Sequence, residues 1–413
     1  MATTAEDRHP VRAQTSPGGD TLATQISDGG SFWRRGSALA AAILLAAMVV
    51  LWFACWPVAR VHLQAMAVLD LVANRPVPRV LRRAVMQPIR REELELSLPD
   101  GVVRARLYTP LAHPNAPAMV VLHGVHHLGI DDPRLMNFSS AMASCGLRVL
   151  TPELPDIKDY HIGANSITTI GESALWMARE NGGHAVGLMG ISFAGGLALL
   201  AAANPEYRHS IRFVVAVGSQ DEMARVAEYY RSGRDIRPDG TVEVLPPHDY
   251  GALVLEYEHL EEFVPADDVG AMRAVLRAHL YEDAAGEKAV FARMSPQQVA
   301  EARALMNTSL PATQDALARD ETQHLKDMAA VSPHRHLAEL HTPVYLLHGE
   351  ADNVIPAAET QWLASDLPRK TLKAVLISPV LSHVNLDGKG PTVMDRLRLL
   401  HFFALILHAA EVH

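Results

Sequence analysis

Apolar and polar positions divide the chain into three stretches of different character. The first 35 residues are rich in Thr, Ser, Gly and Asp and show no apolar period, so residues 1–35 are expected to form a disordered polar tail. Residues 36–59, between Arg35 and Arg60, carry no charge. About 24 residues rising 1.5 Å each span roughly 36 Å, enough for a bilayer's hydrocarbon core. Trp52 and Trp56 sit near one end, as in an interfacial aromatic belt. The segment therefore predicts one transmembrane helix rather than a cleaved leader, for which the polar lead is too long. Residues 60–92 read as a juxtamembrane stretch. Within it, Val61–Ala73 suits either a helix along the membrane surface or a plain linker helix. Arg34 and Arg35 before the span balance Arg60 and Arg75 after it, so the positive-inside rule assigns no side to the rest of the chain.

From Glu93 the pattern becomes one of short apolar runs alternating with helical periods. Glu95–Pro99 and Val102–Pro110 flank Asp100-Gly101 and predict a hairpin. Ala118–Leu122, Leu147–Thr151, Ala185–Met189, Phe213–Val217, Pro343–Leu347 and Leu372–Ile377 are continuous apolar runs, as expected of strands buried on both faces. Helices are predicted at Asp132–Ser144, Ser166–Glu180, Phe193–Ala203, Glu359–Ser365 and Met394–Ala410. Strand and helix in alternation demand a doubly wound, mostly parallel α/β sheet. The alternation lapses over 219–341, which reads as an inserted helical cap between a first core part, 93–218, and a second, 342–413.

Composition adds mainly exclusions. Hydrophobic residues make up 49% of the 413, enough for a large core. A net charge of −9 with no basic, aromatic-interleaved stripe argues against a nucleic-acid partner. Cys55 and Cys145 are too few for a disulfide framework, and neither reads as reactive. The 21 histidines are scattered without HExxH or Cys/His clustering, so no metal and no other cofactor is expected. Nothing in the sequence sets the oligomeric state.

The chemistry concentrates at strand ends. Gly190-Ile191-Ser192-Phe193-Ala194 lies between a predicted strand and a predicted helix. A serine in such a sharp turn has its oxygen exposed above the sheet, and the helix N-terminus favours negative charge beside it. Small residues must flank it; Gly190 is one, and Ala194 stands where the usual pattern has Gly.

This segment resembles the nucleophile elbow of the α/β-hydrolase superfamily, and the likeness runs from about Glu93 to the C-terminus outside the cap. The resemblance implies Ser192 as nucleophile. His123-Gly124-Val125, after an earlier strand, looks like the loop that gives one oxyanion-hole N–H, here from Val125, with Phe193 giving the other. Asp352, after Val344–Leu347, stands at the superfamily's acid position, with Glu350 and Asp221 as competing acids. His383, in Ser382-His383-Val384-Asn385, stands at the position of the general base. The order Ser192, Asp352, His383 is the superfamily's order. The expected function is a membrane-anchored serine hydrolase acting on a small acyl substrate, an ester first. A serine aminopeptidase-like peptidase, an acyltransferase and a non-catalytic binding module are the alternatives.

Overall fold

A computed structural model describes residues 29–382 and 390–411, with side chains from Ile43 onward. The expected tail up to residue 28 and His383 lie outside the described residues. Contacts divide the chain between Trp56 and Pro57. The first unit contains the beginning of a helix that runs from Gly29 to Val72, with Pro57 inside it. Its apolar side chains from Ile43 to Phe53 are exposed, and the Trp52 and Trp56 rings stack 5.4 Å apart. Ile43–Val72 is, by length and composition, able to cross a membrane.

The second unit is built on strands β1 (Ile89–Leu98), β2 (Gly101–Pro110), β3 (Ala118–Leu122), β4 (Arg148–Pro152), β5 (Val186–Ile191), β6 (Ile211–Val217), β7 (Arg234–Ile236), β8 (Val242–Val244), β9 (Val344–Gly349) and β10 (Leu372–Ser378). Eight of them form one sheet in the order β1-β2-β4-β3-β5-β6-β9-β10. β2 is antiparallel to both β1 and β4; all other neighbours are parallel. The hairpin starts earlier than its sequence suggests. β1 opens with Arg90–Glu93, charges that suit a solvent-facing edge strand but hide its strand character.

The inner parallel strands are mostly apolar because both faces are covered, whereas the edge strand β10 exposes Lys373 and Val375. Val120, Leu122, Leu188, Val214 and Leu346 face the layer formed by helices Asn165–Glu180 and Phe193–Ala203. Met119, Val121, Met189, Val215 and Leu347 face helices Pro133–Ser144 and Val393–Glu411. Alternate residues of each strand thus feed two cores.

The second core also contains residues expected near a membrane. Val61, Ala65, Val68 and Leu69, on the last turns of the long N-terminal helix, are buried in it. The Gln64 amide donates to Cys145 O at 2.5 Å, and the Asn137 amide donates to Leu71 O at 2.9 Å. Residues 61–72 therefore belong to the domain and are neither a surface-lying amphipathic helix nor a free linker. The reason is that their apolar face is buried in the second core, where full burial of each Val or Leu contributes about 1.5–3 kcal/mol.

Between β6 and β9 the chain forms mainly helices, from Met223–Ser232 to Leu325–Ala330, as the lapse in alternation predicts. It also forms the small antiparallel hairpin β7-β8, too short to leave a period in the sequence.

Candidate active site

β5 ends at Ile191 and the next helix begins at Phe193, so Ser192 makes the whole connection. Its backbone takes φ +57° and ψ −138°, a strained conformation for a residue with a Cβ, of a kind that costs on the order of 1–3 kcal/mol. The neighbours hold it there. Ser192 N donates to Val217 O at 2.8 Å, and Ser219 Oγ donates to Ser192 O at 2.9 Å. A Cβ on Gly190 would lie 2.4 Å from Ala194 O, so strand and helix meet too closely for any side chain. The second such restriction falls on Gly195, where a Cβ would meet Ser219 Oγ at 1.9 Å. That moves the small-residue requirement one place beyond Ala194, which explains why alanine is accommodated at 194.

The strand order and this turn decide the architecture. The chain has the α/β-hydrolase fold. Ser192 lies at the C-terminal end of β5, next to β3, where the chain switches from adding strands on one side to adding them on the other. Such switch points are where open α/β sheets bind ligands.

No protein-family model and no curated protein matches the sequence. Among solved structures, the chain is similar to a membrane phospholipase A described as a bacterial virulence factor. Identity is 13% and the TM-score 0.42, covering 91% of this chain and 100% of that one. It is also similar to 2-hydroxy-6-oxo-6-phenylhexa-2,4-dienoate hydrolase from a Rhodococcus strain, with 17% identity, a TM-score of 0.39, and 78% and 100% covered. An acylaminoacyl peptidase from Pyrococcus horikoshii gives 10%, 0.43, and 80% and 42%.

The loop after β3 lies directly on the serine: a Cβ on Gly124 would sit 3.1 Å from Ser192 Cβ. His123 shapes this loop. Its Nε2 accepts from Leu154 N at 2.9 Å, so the proton sits on Nδ1, which donates to Gly124 O at 2.8 Å. Burial holds its pKa down at about 4, well below the usual 6.5, so the ring is neutral near pH 7. Val125 follows, and its carbonyl accepts from the Tyr250 hydroxyl at 2.6 Å. Phe193, the other expected oxyanion donor, is the buried first residue of the helix after Ser192. Tyr250 belongs to the helix Asp249–Glu258 of the insertion.

Asp352 is fully buried in the loop after β9. One carboxylate oxygen accepts from Val354 N and Ile355 N at 2.9 and 3.0 Å; the other is 3.4 Å from His348 Nε2. The competing acids are placed differently. Glu350 is exposed. Asp221 is paired with Arg225 at 2.7 Å in a network that includes Glu359; burial, then the Glu359 charge, raises its pKa to about 6. The described chain runs up to Ser382, whose carbonyl lies against Gly349 at the end of β9. His401 pairs instead with His62, its Nδ1 3.0 Å from His62 Nε2.

Ser192 and Gly124 line a cavity of about 270 Å³. Its polar part includes His126, His248, Tyr250 and the ion pair Asp132–Arg134, with Nη2 to Oδ2 at 2.7 Å. Much of the remainder is apolar and lies in the second core: Leu135, Phe138, Met189, Phe403 and, from the N-terminal helix, Leu69 and Val72. The sequence carries no signal for Leu69 or Val72 as lining residues, because only the packed helix brings them beneath the strand ends.

Proposed function

We propose that the protein is a serine hydrolase that cleaves a carboxylic ester with an aliphatic acyl group. The observation that carries this reading is the strained Ser192 turn facing the Gly124 loop at the mouth of an apolar cavity. Ser192 Oγ attacks the ester carbonyl while His383 accepts its proton. Asp352 orients and stabilises the imidazolium. The N–H groups of Val125 and Phe193 hold the oxyanion. His383 then returns the proton to the departing alcohol. Water, deprotonated by His383, attacks the acyl-enzyme and releases the acid. The acyl chain occupies the cavity between Leu69, Phe138 and Phe403. The exposed apolar stretch of the N-terminal helix supports a single-pass membrane anchor.

The test is covalent labelling of the full-length protein by a fluorophosphonate, with Ser192→Ala and His383→Ala alongside. Labelling of wild type alone supports an activated serine; a folded wild type that stays unlabelled removes the hydrolase reading. Adding an alcohol acceptor during ester turnover separates hydrolysis from acyl transfer. Deleting residues 43–56 should move the protein from the membrane to the soluble fraction.

A further inference from the structure

Two helices of the insertion each present a pair of metal-type donors. Helix Asp249–Glu258 carries Glu256 and is capped by His259, three positions on. Helix Pro311–Gln323 carries Asp320 and is capped by His324, four positions on. Spacings of three and four place each pair on one helix face. His259 Nδ1 lies 2.8 Å from Asp320 Oδ1, and His324 Nε2 lies 3.6 Å from the same oxygen. One donor atom from each of the three residues is within 4.8 Å of the others.

His259 Nδ1 and Asp320 Oδ1 are at ion-pair distance but out of hydrogen-bond alignment. Both Asp320 oxygens, His259 Nδ1 and His324 Nε2 are shut off from solvent without a hydrogen-bond partner. The Asp320 side chain is 1% exposed. Glu256, fully buried, has both carboxylate oxygens unpartnered as well. Proximity without hydrogen-bond alignment is what donors to a common ion show.

The electrostatics point the same way. Among the described residues no lysine or arginine pairs with Asp320 or Glu256, and the charges nearest Glu256 are Asp320 and Asp249. Buried carboxylates are costly unless paired, neutralised or bound to metal; here, among the described residues, two histidines alone face Asp320 and no cation pairs with Glu256. The other close His–carboxylate group, Asp221, His334 and Asp366, differs in this respect because Arg225 already reaches Asp221.

We propose that His259, Asp320 and His324 bind one divalent first-row transition metal of the zinc type, with the buried Glu256 carboxylate adding negative charge beside them. Two imidazoles select such an ion over magnesium or calcium, which take oxygen donors. None of these residues lines the Ser192 cavity, so the ion is structural. It clamps the helix bearing Tyr250 to helix Pro311–Gln323. The site stands independently of the hydrolase reading.

The test uses the full chain in detergent, stripped with EDTA and titrated with zinc chloride by calorimetry. Wild type should bind one more equivalent than His259→Ala/His324→Ala, and zinc should raise the melting temperature of wild type only. Cobalt(II) on stripped wild type should show d–d bands above those of the aquo ion, and this readout stands even where the double variant fails to fold. Magnesium or calcium should leave the melting temperature unchanged. Equal zinc stoichiometry in wild type and folded variant, or cobalt spectra no stronger than the aquo ion, overturns the proposal.

Discussion

The hydroxyl of Tyr250 donates a hydrogen bond of 2.6 Å to the carbonyl oxygen of Val125. It joins the insertion to the loop that lies on Ser192, and both residues line the cavity. In the proposed reaction the N–H of Val125 holds the oxyanion. On that proposal the insertion anchors the residue that carries the donor, through its own carbonyl.

Tyr250→Phe tests this. Removing one such bond should lower kcat about tenfold, or about 1.4 kcal/mol. KM for a short-chain ester should hardly change, because orientation matters most once the carbonyl oxygen carries charge. Steady-state kinetics beside a thermal melt checks it; a loss of melting temperature with kcat intact would assign the bond to stability alone.

The glycines around Ser192 should separate function from folding. Gly124→Ala places a methyl 3.1 Å from Ser192 Cβ, against a loop free to give a little. The protein should fold but label with fluorophosphonate on the order of a hundredfold more slowly, a barrier increase of about 2.7 kcal/mol. Gly190→Ala drives a methyl into backbone on the following helix and should destabilise by about 3 kcal/mol or more. Chemical denaturation of both variants would show whether the costs divide in this way.

Leu69→Trp should act as a chain-length filter. The larger ring fills cavity space between the N-terminal helix and Phe138. Turnover of p-nitrophenyl acetate should stay within about twofold, whereas the octanoate ester should lose about tenfold or more in kcat/KM, about 1.4 kcal/mol of acyl-chain binding. An even loss over both esters would remove Leu69 from the acyl site.

His123 predicts a pH dependence. The folded protein keeps it neutral down to about pH 4, whereas the unfolded chain protonates it near 6.5. Between these values the unfolded state binds more protons, so stability falls as pH falls through the window. This one group accounts for about 3 kcal/mol. Above pH 6.5 its contribution is constant. Urea melts of wild type and His123→Gln at pH 7 and pH 4.5 should show the smaller acid loss in the variant; parallel losses would contradict the assignment.

Much of the frame is legible in the sequence because parallel strands and their helices leave long, unmixed apolar signatures. Ala118–Leu122 and Phe193–Ala203 are found at the residues expected. The Ser192 turn is legible for a related reason, since its small residues answer to local geometry. What escapes is tertiary. Leu69 and Val72 look like continuations of an apolar helix until the domain packs around them. Tyr250 is one tyrosine among several in the insertion. Glu256 and His259 lie 64 and 65 positions from Asp320 and His324, so their grouping leaves no local signature in the sequence.

The helix Gly29–Val72 passes without interruption through the point, at Trp56 and Pro57, where the chain divides. On the proposed reading of an anchored hydrolase, the place at which this helix is cut would decide whether the released domain keeps its site. A cut near Pro57 frees a domain that keeps Val61, Ala65 and Val68 in its core and Leu69 in the wall of its cavity. A cut only some fifteen residues later, past Val72 (about four helical turns), removes these side chains from the second core and Leu69 and Val72 from the cavity wall.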